Sequence, residues 1–174
     1  EIDRGDVLTA PGWLVPCNTF DALVHVIKGS PRPLRHNHRL ILYTGTSETP
    51  VTVRVLDGDL VKQGQSGWIQ LLANTPVSVI RGDSFILRDT QITIGGGSIL
   101  EIKAPRRRRS DPDLIRRLEA LSIGSNKNAV LEFLKDNEPT TLVAISRALN
   151  IAESETSALY EELLNSREIV NIKS

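Results

Sequence analysis

The chain has 174 residues, with 21 Lys/Arg against 21 Asp/Glu and no methionine. That length suits one ordinary domain plus a small one. No apolar run approaches the ~18 residues of a membrane-spanning helix, and no basic-then-apolar leader opens the chain. The neutral total hides an asymmetry: residues 1–112 hold 14 Lys/Arg against 11 Asp/Glu (+3), and residues 113–174 hold 7 against 10 (−3). A polyanion should therefore prefer the first part. The start at Glu1 without any Met reads as a piece of a longer protein. Lone Cys17 has no partner for an internal disulfide, in keeping with a reducing cytoplasm.

Residues 19–102 read as short strands with turn signals about every ten residues, the pattern of a small antiparallel barrel or sandwich. Phe20, Ala22, Val24 and Val26 alternate with Asp21, Leu23, His25 and Ile27; Val51, Val53 and Val55 alternate with Thr52 and Arg54. One face of each strand is thus expected inside and the other wet. His38–Tyr43, Trp68–Leu72, Pro76–Ile80 and Ser98–Ile102 supply further strands, with Gly58, Gly64 and Gly67 expected in turns. Gly82-Asp83 forms a tight turn into Phe85-Ile86-Leu87, followed by a polar hairpin tip at Asp89-Thr90-Gln91. The next strand runs into Gly95-Gly96-Gly97, where the backbone is either sharply bent or closely approached.

Pro105 to Pro112, with Arg106, Arg107, Arg108 and Arg109 between, reads as a basic linker. Asp111 is placed to cap a helix with Pro112 in its first turn. Leu114, Ile115, Leu118 and Leu121 recur at helical spacing. A second helix is capped by Ser125 or Asn126 and ends at Pro139; a third starts at Thr140 or Thr141. After the turn Asn150-Ile151-Ala152, Ser154 caps a fourth, and Ile169–Ile172 reads as a strand. Three helices with a tight turn and a terminal strand make a winged-helix module.

His36 and His38 have an H-x-H spacing, but flanking arginines disfavour a metal ion. The run Pro31–Arg39, including Arg35, His38 and Arg39, reads equally as a basic loop along a phosphate backbone or as a solvated loop. The four arginines at 106–109 offer salt-sensitive phosphate contacts, against the plainer reading of a soluble extended linker. His25, among apolar strand residues, is expected in the core or at a barrel interface. The two Arg-Gly-Asp triplets are explained by turns. Gly95–Gly97 lacks the Lys-[Ser/Thr] of a phosphate-binding loop, and no serine has a nucleophile setting. Nothing in these residues supports catalysis.

The Gly-Asp turn, Phe85-x-x-Arg88 and Thr93-Ile94-Gly95-Gly96-Gly97 resemble the last barrel domain of translational GTPases of the elongation factor Tu type. The glycine form and the appended helical module are most similar to the bacterial selenocysteine-specific elongation factor. The resemblance implies the end of a preceding barrel with its connector at 1–16, including Pro11-Gly12. A domain III-type antiparallel β-barrel would follow at 17–104, then the linker at 105–112 and the first winged helix at 113–174. It further implies a tRNA T-stem surface carrying Thr46, Arg88, Asp89 and Thr90. Implied partners are selenocysteinyl-tRNA, the ribosome and, through farther winged helices, a hairpin in the messenger RNA, with no membrane. GTP and Mg would belong to the parent protein, with no cofactor and no catalytic residue in this piece. The alternatives are the barrel of another translational GTPase, or a winged-helix transcriptional regulator with a β sensor domain. The helix after Ser154, with Glu155, Glu161 and Glu162, argues against a groove-reading role.

Overall fold

Alternating apolar and polar side chains from Cys17 onward give strands that can bury one face each, and in the structure they close on themselves. The structure is a computed structural model describing residues 4–9, 13–149 and 151–171. The strands are β1 (Cys17–Val26), β2 (Leu34–Arg35), β3 (His38–Thr44), β4 (Ser47–Val55), β5 (Leu60–Val61), β6 (Ser66–Val77), β7 (Ser84–Asp89) and β8 (Ile92–Ile102). Six of them form a closed antiparallel barrel in the order β1-β6-β4-β3-β7-β8, and β2 pairs with β5 beside it. Phe20, Ala22, Val24, Val26, Val51, Val53 and Val55 all point into the core, as their alternation requires. Burying each such side chain contributes roughly 1.5–3 kcal/mol.

The triple glycine is a case of close approach. A Cβ on Gly97 would lie 1.8 Å from the Leu23 carbonyl oxygen, and one on Gly95 2.4 Å from that of His25. Both glycines face β1, with Gly97 opposite Val24 and Gly95 opposite Val26. Glycine there lets β1 and β8 come together tightly enough to close the barrel.

Several local expectations change. Gly67 lies within β6, opposite Val24, and a Cβ on it would meet Val61 Cγ2 at 2.5 Å. Its need is space beside β5, with no turn at that position. Pro76–Ile80 is no separate strand, because β6 simply runs on to Val77. His25 is exposed on the outer face, its Nδ1 3.2 Å from Ser66 Oγ, since its parity is opposite to that of Val24 and Val26. The core reading of His25 therefore fails.

Four helices follow: α1 (Pro112–Ile123), α2 (Asn126–Asn137), α3 (Leu142–Leu149) and α4 (Glu153–Asn165). The chain divides into two compact units, residues 1–118 and 119–174, with the boundary inside α1. Asp111 Oδ1 accepts from the Asp113 N–H (3.1 Å), as its expected capping role requires, and Thr141 Oγ1 accepts from the Ala144 N–H (3.2 Å) at the expected start of α3. Ala152, rather than Ser154, occupies the cap position of α4.

The second unit's core is Val130, Ile145, Ile151 and Leu163, with Phe133, Leu134, Leu149 and Ile169 packed against it. The buried Ser146 hydroxyl donates to the Ile151 carbonyl (2.7 Å) and tightens the α3–α4 turn, whose Asn150 lies outside the described residues. The expected strand at 169–172 does not form over 169–171, and Ile172 lies outside the described residues. A strand needs a neighbour for its backbone groups. Among the described residues this segment has none, and Ile169 serves as a core contact.

Candidate nucleic-acid interface

The first candidate surface grows from the β7–β8 hairpin. Asp89 pairs with Ile92, leaving a two-residue tip in which Thr90 adopts φ 50°. Non-glycine residues tolerate that conformation only sparingly, so the tip has a fixed shape. β3 runs antiparallel to β7 with Ile41 opposite Arg88, which brings the start of β3 beside the tip.

Arg32 pairs with the Asp89 carboxylate, and His38 Nε2 stands 4.0 Å from the same oxygen. Burial, then Arg32 and Arg35, holds the His38 pKa below its usual value. The His38–Asp89 approach is therefore a polar contact more than an ion pair, and the positive charge here resides on arginines. The Arg88 guanidinium lies 5.6 Å from the Tyr43 ring centre and donates from Nη2 to the Gln91 carbonyl (2.8 Å). Arg35 and Arg39 are exposed. Arg32, Arg35, Arg39 and Arg88 thus lie in the segments that meet at the tip, with Asp89 paired to Arg32 and Glu48 accepting from the Tyr43 hydroxyl (3.0 Å).

The second candidate surface is the arginine segment, and it is docked on the barrel. Arg54 on β4, Gln70 on β6, Asp21 on β1 and Glu101 on β8 are cross-strand neighbours in sequence of strands. They form a polar ladder on the outer face. Arg107 lies over it, donating from Nε to Asp21 (2.7 Å) and from Nη2 to Glu101 (2.6 Å). Gln70 Nε2 donates to Asp21 (2.9 Å) and to the Pro105 carbonyl (2.8 Å). Arg54 donates to Gln70 Oε1 (3.0 Å) and to the Arg107 carbonyl (3.1 Å). Arg117 donates to the other oxygen of Glu101 (3.0 Å).

Arg109 continues the attachment through Asp59 and the Gly58 carbonyl (2.8 Å), and the Ser110 N–H donates to Leu56 (2.7 Å). Asp21 is fully buried. Burial raises its pKa, outweighing the opposing pull of Arg107. Burial also acts to lower the Arg107 pKa, but Glu101 and Asp21 outweigh it and hold that guanidinium above its usual value. At these distances the pair is ionic, with a desolvation cost that only its complete set of partners offsets.

Residues 21–106, the barrel strands and the start of this strap, match the family described as selenocysteine-specific elongation factor, beta-barrel domain. The chain carries the barrel domain of this family. A selenocysteine-specific elongation factor from Desulfomicrobium baculatum is 28% identical over 116 residues, covering 66% of this chain and 18% of that protein. The chain thus spans well under a third of that relative's length.

On this selenocysteine-factor barrel the sequence-expected residues fall in three places. Arg35, His38, Arg39, Arg88, Asp89 and Thr90 gather at the hairpin tip, joined by Arg32 and Tyr43, which had not been singled out as site residues. Arg32 was legible as part of the basic run from Pro31; Tyr43 carried no signal. Thr46 is exposed in the β3–β4 turn, at the other end of β3 and about 20 Å from His38 by strand rise. Arg106 to Arg109 lie on the ladder. There Arg107 and Arg109 are engaged by carboxylates, while Arg106 and Arg108 are exposed. The soluble extended linker is thereby corrected: alternate arginines are bonded to the barrel. Pro11-Gly12 lies outside the described residues.

Proposed function

We propose that this chain is part of a translation elongation factor that brings selenocysteinyl-tRNA to the ribosome, and that the hairpin-tip cluster faces the tRNA. The observation that carries this reading is the concentration of four arginines around a fixed-shape tip on a barrel of this family. Backbone and short polar groups at Asp89-Thr90-Gln91 suit recognition of shape and phosphate, with little base reading. In this reading GTP and Mg act in a part of the parent protein outside these residues, and the present residues contribute no catalytic group.

For the full 174-residue chain, filter binding with tRNA at low salt should show affinity that falls as salt rises. Arg35→Gln with Arg39→Gln should remove about 1.5 from the slope of log affinity against log salt. Thr90→Glu should weaken binding further by repulsion. Salt-independent binding, or binding indifferent to all three changes, would exclude the tip as the contact surface.

We further read α2–α4 as the first of a series of winged helices, acting here as a spacer toward the messenger-reading end. Two of the four acids of α4 have partners within the unit: Asn126 donates to Glu155 (2.6 Å), and Lys127 pairs with Glu162 and, beyond the helix, with Glu168 at 3.0 Å each. Glu153 and Glu161 are exposed. An acidic helix is repelled by a phosphate backbone. In an NMR titration of the chain with an RNA hairpin, the amide signals of 153–167 should stay in place; saturable shifts there would make α4 a reader after all.

A further inference from the structure

The strap and the hairpin-tip cluster are connected through one turn. Arg109 holds the side chain of Asp59 and the carbonyl of Gly58. The Asp59 carbonyl in turn accepts from the His36 N–H (3.0 Å), and Leu60 pairs with Arg35 across β2 and β5. The basic segment 31–39 and the strap are therefore bonded to the two sides of residues 57–60. Along the strap, exposure alternates: Arg107 and Arg109 face inward to carboxylates, Arg106 and Arg108 outward. Inward arginines alternating with outward ones are what an extended segment produces, with same-side side chains, two residues apart, separated by about 6.5 Å. Arg107 cannot serve a ligand without giving up the buried Asp21, and Arg109 is held by the exposed Asp59 and the Gly58 carbonyl. The outward pair is held in place at little further cost in ordering.

We propose that Arg106 and Arg108 form a second phosphate-contacting strip, tied to the segment that carries Arg35 by the bonds of the 57–60 turn, so that an RNA backbone seated on the tip cluster passes the exposed Asp57 and Asp59 and extends along the strap. The ligand chemistry is a phosphodiester chain with regularly spaced phosphates, here RNA. Arg107 and Arg109 are positioning residues that present the strip and do not touch the RNA. This inference rests on the tRNA-facing reading of the tip.

The test uses the full chain and unfractionated tRNA as the probe, with affinity measured from low to moderate salt. Arg106→Gln with Arg108→Gln should weaken binding about tenfold at low salt and lower the salt slope by about 1.5, with the thermal midpoint unchanged. Arg106→Lys with Arg108→Lys should restore most of the slope. If the glutamine pair leaves affinity and slope unchanged while Arg35→Gln with Arg39→Gln lowers both, the strip is overturned and the tip reading stands. If the unaltered chain binds no tRNA at low salt, the tip reading falls and the strip with it.

Discussion

Arg107→Gln is expected to destabilise the barrel by about 3 kcal/mol, because the fully buried Asp21 loses its cation while Glu101 keeps Arg117. For a unit of this size that is a fall of roughly 10 °C or more in thermal midpoint. The loss should depend on pH in a definite direction. Burial already raises the Asp21 pKa, and Arg107 opposes the rise. In the unaltered chain, a raised folded value means that this carboxyl's contribution is full below its unfolded pKa and declines as pH rises through the folded one. Without Arg107 the folded value rises further. The deficit should thus be largest near neutrality and narrow as acid protonates Asp21. Urea unfolding of both proteins from pH 7 to pH 4.5 measures this, and a deficit that stays constant would show that Asp21 is not what the substitution exposes. Trypsin offers a second readout, since a released strap presents three remaining arginines. Faster cleavage within 106–109 is expected, together with the loss of stability.

Gly97→Ala is the second large effect. Its methyl group would fall 1.8 Å from the Leu23 carbonyl oxygen, and the obstacle is backbone held in the β1–β8 ladder, with no flexible side chain to swing aside. The strands must separate at the point where the barrel closes, at a cost of about 4 kcal/mol or more. Gly29→Ala is the control, because no atom stands within 4 Å of the corresponding position. Loss of the near-ultraviolet circular dichroism signal and of the cooperative transition in Gly97→Ala, with Gly29→Ala near the parent, is the expected pair of results. Equal stability of the two would mean that the β1–β8 approach is looser than described.

How much of this was legible beforehand depended on whether the cause was local. Alternation fixed which residues of β1 and β4 face inward, because side-chain period and burial coincide in a two-sided strand. The caps at Asp111 and Thr141 were legible because the bond is made within three residues. His25 was misjudged although its parity, opposite to that of Val24 and Val26, already put it on the outer face, whereas the need for glycine at 67 comes from packing against Val61 on the separate strand β5. The strap illustrates the same limit at the candidate site. Four consecutive arginines look uniformly solvated until Asp21, Gln70 and Glu101, drawn from three separate strands, are seen in one row. Asp21 between Phe20 and Ala22 was the available hint. The tip cluster was more legible, since the basic run and the hairpin were each visible, and only the β3–β7 pairing that joins them was hidden.

The polar ladder also sets how the barrel responds to force. β8 is the last strand, and tension applied beyond Ile102 would otherwise peel it from β1 one hydrogen bond at a time, the weakest way to load a sheet. Here the chain crosses the ladder after Ile102 and is fastened to β1, β6 and β4 through Asp21, Gln70 and Arg54 before it reaches α1. Tension on residues beyond 111 is shared among several strands at once and acts on many bonds together. Pulled from its C-terminal side, this barrel should yield in one abrupt event at high force, and with Arg107 replaced it should unravel gradually from β8.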